Sequence, residues 1–309
     1  MKKTLKIGTR GSPLALAQTE IFVTALREKH PGLVPEVVAI TTTGDRIQDR
    51  ALSDSGGKGL FTKEIEEALL AGTIDCAVHS MKDMPTLLPE GLEISCLLPR
   101  EDPRDAFFSL QAATPDDLAQ GALIGTASLR RQAILLARRP DLRMTLLRGN
   151  VGTRLKKLEA GDVDATILAV AGLNRLGQGH LVKHILEPEV MLPAVAQGAV
   201  GIETRTRDGD IQALLAAVHC PVTALRVTAE RAFLGVMDGS CRTPLAALMS
   251  IPDPYQRARF DVLVARPDGN DVKKASYVMR VSDIYEARRL GEHAGQELKA
   301  QLPPGYLAV

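Results

Sequence analysis

A chain of 309 residues, 45% hydrophobic and 24% charged, has the make-up of an ordinary globular protein, with room for two or three cores of ~100–150 residues each. Its 38 Lys and Arg against 37 Asp and Glu give no bulk field for nucleic acid, and 3% aromatic residues without Trp give little for base stacking. No apolar run nears the ~18 residues of a membrane span, and the charged start at Lys2, Lys3 and Lys6 lacks the apolar stretch of a secretion signal. The expectation is a cytoplasmic protein with no membrane and no nucleic-acid partner.

In chain order, residues 4–7 read as a strand. Ser12 and Pro13 then open a helix, Ser as cap and Pro at the first helical position, with Leu14, Ala17, Ile21 and Ala25 on its apolar face. Residues 37–41 form a second strand. Phe61, Ile65, Ala68 and Leu69 mark a helix ending near Gly72, and residues 74–78 form a third strand. This alternation is the mark of α/β architecture. Residues 7–12 (IGTRGS) are echoed at 124–128 (IGTAS), and 72–77 (GTIDCA) at 161–166 (GDVDAT). The unequal spacing excludes a rigid repeat and predicts two similarly built α/β domains with different loops. Residues 97–105 (LLPREDPRD) read as a crossing between them, and a second junction falls near Leu192 and Pro193, before a strand at 199–204.

The remainder changes character. A helix presents Leu225, Ala229, Ala232, Phe233 and Val236 on one face. Strands follow at 245–250, 260–265 and 274–281, with a hairpin turn at 267–270, and a last helix starts at Ser282 and runs through Tyr285, Leu290 and Ala294. That is an α+β domain.

Cys76, Cys96, Cys220 and Cys241 lie far apart, which fits neither a zinc site nor a disulfide framework. His180 and His184 are spaced as one helical turn, but without an HExxH pattern they read as a solvated helix face, and no metal is expected.

Helix starts after strands are natural anion sites, and here they also carry cations. Arg10 precedes the Ser12 cap, Arg130 and Arg131 follow Ser128, and residues 148–154 (RGNVGTR) hold an arginine at each end. Cations in a first turn oppose the helix dipole, so something negative should offset them: a polyanionic ligand, or acids of the chain itself. Residues 45–59 suit a lid carrying Lys58, or a plain surface loop. Lys82 and Asp83 leave the third strand at its C-terminal end, where Asp83 is either a proton-handling carboxylate or a turn former. Cys241, flanked by Gly239, Ser240 and Arg242, is either a reactive thiol or a small buried hydrophobe.

Residues 56–61 (GGKGLF), 77–85 (AVHSMKDMP), 100–107 (REDPRDAF), 125–131 (GTASLRR), 147–155 (LRGNVGTRL), 167–176 (ILAVAGLNRL), 193–203 (PAVAQGAVGIE) and 225–231 (LRVTAER) together closely resemble the hydroxymethylbilane synthase, or porphobilinogen deaminase, family over nearly the whole chain. The resemblance implies two periplasmic-binding-like doubly wound α/β domains, 1–98 with 199–216 and 104–192, and a small C-terminal α+β domain, 221–309. It implies condensation of four porphobilinogen molecules, with loss of ammonia, into linear hydroxymethylbilane by a monomer. The chain would grow on a dipyrromethane cofactor held by a thioether to Cys241. Asp83 matches the catalytic aspartate. Ser12, Lys58, Lys82, Thr126, Ser128, Arg130, Arg131 and Asn150 match cofactor-binding positions, and Arg10, Arg148, Arg154 and Arg175 substrate-binding ones. Two departures fall near the anchor: Ser240 stands where the family usually has Gly, and Ala246 replaces a usual Gly after Pro244.

Overall fold

A computed structural model describes residues 4–46, 59–237, 243–251 and 257–306. It divides into two compact units, Met1–Glu101 with Gly198–Ala224, and Asp102–Gln197 with Leu225–Val309.

In the first unit, β1 (Thr4–Arg10) pairs in parallel with β2 (Val34–Ile40) on one side and β3 (Cys76–Ser80) on the other. The strand β10 (Val200–Arg205) runs antiparallel between β3 and β4 (Leu92–Leu97). The second unit repeats this plan. Its β6 (Leu123–Gly125) lies between β7 (Arg143–Thr145) and β8 (Ala165–Ala169), with β5 (Asp105–Ser109) antiparallel between β8 and β9 (His184–Leu186). Both orders therefore read second, first, third, inserted, last, and each inserted strand follows a crossing of the chain from one unit to the other. The expected pair of doubly wound α/β sheets is present.

The sequence echo is a register echo. Ile7 and Gly8 face Cys76 and Ala77 across the ladder; Ile124 and Gly125 face Ala165 and Thr166. Asp75 accepts from the Lys6 amide at 2.8 Å, and Asp164 from the Leu123 amide at 2.7 Å. A Cβ on Gly8 would meet Ile74 at 2.3 Å, and one on Gly125 would meet Leu147 at 2.7 Å and Val163 at 3.0 Å. Glycine is required at both places because the side chain two residues before the third strand, Ile74 or Val163, folds over the first.

Helix α1 (Pro13–Lys29) starts at the Ser12 cap, whose Oγ accepts from the Ala15 amide. Its buried face differs from the expected one: Gln18, Phe22 and Leu26 point inward, while Ile21 is exposed. Phe22 and Leu26 fill the core, and Gln18 is tolerated there because Ser80 satisfies its amide. After the one-turn helix α2 (Thr43–Arg46), helix α3 (Lys63–Leu70) buries Ile65 and Leu69 over Ile74 and Ala77.

In the second unit, α4 (Leu129–Arg138), α5 (Val151–Glu159) and α6 (Val170–Arg175) follow β6, β7 and β8. His180 lies in a short 3-10 turn and His184 in β9, so the helical spacing read from sequence is not realised. After α7 (Gly209–Leu215) in the first unit, α8 (Pro221–Val236) leads to an antiparallel sheet of β11 (Leu245–Ser250), β12 (Ala258–Ala265) and β13 (Val272–Met279). Ala246, Leu248, Leu263 and Ala265 of this sheet share one core with Phe107, Ile124, Leu135 and Ile167. Buried Glu230 of α8 fastens the junction, accepting from Ala196 N at 2.7 Å and Met249 N at 2.9 Å.

The last helix, α9 (Ile284–Ala300), is capped by Asp283 rather than Ser282, and Tyr285 is 72% exposed while Leu290 and Ala294 are buried as expected. A Cβ on Gly291 would lie 2.1 Å from the Ala229 carbonyl of α8 and 2.8 Å from Ala232 Cβ. Only a shift of the whole helix relieves a clash with backbone. Gly291→Val is therefore expected to cost about 2–3 kcal/mol by overpacking, well above its small gain in helix propensity. A lower urea midpoint checks this, and an unchanged midpoint would show that the two helices part freely.

Candidate active site

In the first unit the C-terminal ends of β1 and β3, both central strands, open onto a pocket of about 60 Å³. Arg10 ends β1 there. Its guanidinium lies 4.1 Å from the centre of the Phe61 ring and is ion-paired with Asp45, Nε lying 3.2 Å from Oδ1. Thr42 also donates to Asp45, from Oγ1 at 2.8 Å and N at 3.2 Å. Burial pushes the Asp45 carboxyl up, but Arg10 and Thr42 more than offset it and hold it below the usual carboxylate range.

On β3, Ser80 is held by Gln18 of α1, with Nε2 to Oγ at 2.8 Å. The Met81 amide then bonds Ala199 O at 3.0 Å, and a 3-10 turn over Met81–Asp83 presents Lys82 and Asp83, both half-buried. Asp83 lines the pocket with Arg10, Ser12 and Ser80, and it makes no hydrogen bond or ion pair with another described side chain. A carboxylate placed in a pocket by a rigid strand end and held by no other side chain is suited to accept a proton or face a developing cation.

In the second unit the equivalent strand ends carry arginine. Ser128 caps α4 and its amide bonds Thr126 Oγ1 at 3.1 Å; Asn150 caps α5, accepting from Thr153 N at 2.9 Å. Arg130 and Arg131 are buried, and each donates to one oxygen of buried Asp105 at 2.7 Å. Their other terminal nitrogens bond Leu192 O and Ile167 O, both at 2.7 Å, while Gln197 donates to Asp105 at 2.9 Å. Burial pushes the Asp105 carboxyl up, yet the two arginines hold it far below the ordinary range. Burial, and then Arg131 and Arg148, lower the Arg154 guanidinium to about 10. Arg131, Arg148 and Arg154 thus form one crowded cationic patch, with Arg154 Nε held on Gly149 O at 2.9 Å.

The structure therefore gathers Arg10, Ser12 and Asp83 in the first unit, with Lys82 in the Asp83 turn, and Thr126, Ser128, Arg130, Arg131, Arg148, Asn150 and Arg154 in the second. Arg175 sits at the C-terminus of α6, half-buried. Lys58 and Cys241 lie outside the described residues. For three arginines the counter-charge lies inside the chain: Asp45 for Arg10, and Asp105 for Arg130 and Arg131. Sequence reasoning missed both acids, along with the Phe61 ring under Arg10. In the sequence Asp105 stands out only as part of the 97–105 crossing and the 100–107 block. No metal-binding cluster of His, Cys, Asp and Glu occurs among the described residues.

Residues 5–213 match the family model of the porphobilinogen deaminase dipyromethane cofactor binding domain, and residues 224–300 that of the porphobilinogen deaminase C-terminal domain. The chain is 53% identical over 305 residues to porphobilinogen deaminase of Paracoccus denitrificans (strain Pd 1222), spanning 98% of this chain and 96% of that one. It is 49% identical over 306 residues to a chloroplastic porphobilinogen deaminase of Oryza sativa subsp. japonica, spanning 98% of this chain and 85% of that one. Among solved structures, the periplasmic aliphatic sulphonate binding protein SsuA of Escherichia coli aligns over 77% of this chain and 71% of that one, at 15% identity and a TM-score of 0.42.

Proposed function

The chain belongs to the porphobilinogen deaminase family, and from that premise we propose that Asp83 carries the proton transfers of its reaction. That reaction condenses four porphobilinogen molecules head to tail, releasing ammonia, to the linear tetrapyrrole hydroxymethylbilane. The observation that supports Asp83 is the placement of its carboxylate in the pocket at the end of β3, beside an arginine already fixed by Asp45 and Phe61. Porphobilinogen offers the complementary pattern, two carboxylates and one aminomethyl group. Arg10 holds a carboxylate; Asp83 takes and returns the proton at the amine nitrogen and faces positive charge on the pyrrole nitrogen.

The cofactor-binding family model covers residues 5–213, which include every candidate dipyrromethane residue except the anchor Cys241. The donor set fits such a group. Arg130 Nε and Arg131 Nε are buried without an acceptor, and the Arg131, Arg148 and Arg154 patch is relieved by the acetate and propionate arms that each pyrrole carries. When bound, dipyrromethane supplies the pyrrole carbon on which the chain grows. Ser12, Lys58, Lys82, Thr126, Ser128, Arg130, Arg131 and Asn150 orient it in this reading, and Arg10, Arg148, Arg154 and Arg175 take the carboxylates of incoming substrate. A thioether to Cys241 anchors it, so that each condensation proceeds at high effective concentration. Residues 104–192 and 221–309 act as two domains docked through their shared core, in a monomer working in the cytoplasm. Among the described residues no single helix is long and apolar enough to cross a membrane.

Cys241→Ser is expected to yield a protein of unmodified mass without turnover. Intact-mass spectrometry checks this, and a two-pyrrole adduct surviving on that variant moves the attachment to another residue.

A further inference from the structure

Behind the Asp83 pocket lies an acid–imidazole–acid cluster. His79, the residue before Ser80 on β3, lines the pocket and is paired across the sheet with Gly201 of β10. Glu203, two residues on, projects from the same face of the sheet. His79 Nε2 lies 3.0 Å from Glu203 Oε2, with the two side chains 4% and 0% exposed. Glu66 of α3 is also buried and feels the charges of Glu203 and His79. Burial first, then Glu203 and Glu67, raise its carboxyl above the ordinary range, against Thr62 and His79. Glu203 Oε1 and Glu66 Oε1 are both buried without a hydrogen-bond partner. Two carboxylates and an imidazole withdrawn from water are a poor way to stabilise a core, and the orphaned carboxylate oxygens leave hydrogen-bonding capacity unused.

We propose that His79, Glu203 and Glu66 form a proton store for the condensation, with His79 exchanging the proton with the pocket and Glu203 as its positioning partner. This rests on the porphobilinogen reading of the pocket. Each condensation breaks the C–N bond of an aminomethyl group, the electron pair leaving with nitrogen, which takes up a proton. It forms a C–C bond to the next ring and breaks the C–H bond at that carbon, releasing a proton. Uptake and release balance, but they occur at different moments. Asp83 serves one, and the imidazole holds the other in the interval, its charge offset by Glu203. His79 Nδ1 makes no hydrogen bond among the described residues and is the nitrogen left for exchange. The charged groups around this imidazole are Glu66 from α3, Glu203 from β10, and Arg10 and Asp83, which line the same pocket.

The test uses the cofactor-loaded protein. His79→Gln keeps an amide donor for Glu203 but does not titrate; Glu203→Gln keeps the shape and removes the charge. Each is expected to lower kcat about tenfold or more with KM within about twofold, and to remove one ionisation from the pH profile of kcat. The double variant is no slower than the slower single one, because the pair acts as a unit. Wild-type kcat and pH profile in either variant overturn the proposal, as do losses that multiply in the double variant. Should His79→Gln purify without cofactor, Glu203→Asp decides: restoring the charge should restore the ionisation lost in Glu203→Gln, and failure to do so counts against the store. An active Asp83→Asn beside inactive His79 variants removes Asp83 and keeps the store; the reverse removes the store alone.

Discussion

Asp83→Asn is expected to leave the protein folded and carrying its dipyrromethane mass, while turnover falls by ~10²–10⁴-fold, the usual worth of a positioned proton carrier. The structural cost is small because Asp83 is half-buried and makes no hydrogen bond or ion pair with a described side chain. Its backbone is set by others: by the Met81 amide on Ala199 O, and by Ser80 on Gln18. Asparagine fills the same space but neither accepts a proton nor balances a cation, so the loss falls on kcat and leaves substrate binding through the arginines. Asp83→Glu keeps the charge but displaces it by a methylene, and it should lie between wild type and Asn. Ammonia release, read alongside intact mass, checks both. More than about a tenth of wild-type turnover in the loaded Asn variant removes Asp83 from the chemistry, since so small a loss is below what a proton carrier supplies.

How much of this was readable in advance divides along sequence distance. The Ser12 cap and the two-domain echo are local, and both appear where sequence places them, the echo down to the pairing of Gly8 with Ala77 and Gly125 with Thr166, whereas the first and third strands run on past the expected Ile7 and Val78 to Arg10 and Ser80. The buried face of α1 was misjudged because two polar residues, Gln18 and Thr19, are buried with their hydrogen bonds supplied by Ser80 and the Ala15 carbonyl. Hydrophobic periodicity has no access to that compensation. Arg10, Arg130 and Arg131 sit where a helix dipole calls for an anion, but their partners lie 25–35 residues away. His79 and Glu203 stand 124 residues apart and meet only because β10 is inserted next to β3 after the chain returns from the second unit. Pairing of that kind is a product of topology.

The same topology makes Asp105 the most sensitive single acid in the second unit. Its two oxygens each hold a buried guanidinium, with Gln197 as a third donor. Asp105→Asn keeps the size but leaves Arg130 and Arg131 buried without a counter-charge, and breaking a buried pair in this way costs about 3–5 kcal/mol. For a domain of this size that corresponds to roughly 10 °C in melting temperature. The acid limb of stability gives an independent check. Because the folded carboxyl titrates far below its unfolded value of ~3.9, its contribution is complete above about pH 5 and is lost as pH falls through that value toward the folded one. Scanning calorimetry between pH 7 and about pH 3 should show the wild type losing stability over this window and the Asn variant, already lowered, losing less. An added polyanion should restore more stability to the variant than to the wild type, since it meets guanidinium groups that the missing carboxylate no longer neutralises. A variant melting within a degree or two of wild type, with the same acid limb, would mean that the three-residue cluster is held by its carbonyl contacts at Leu192 and Ile167 alone.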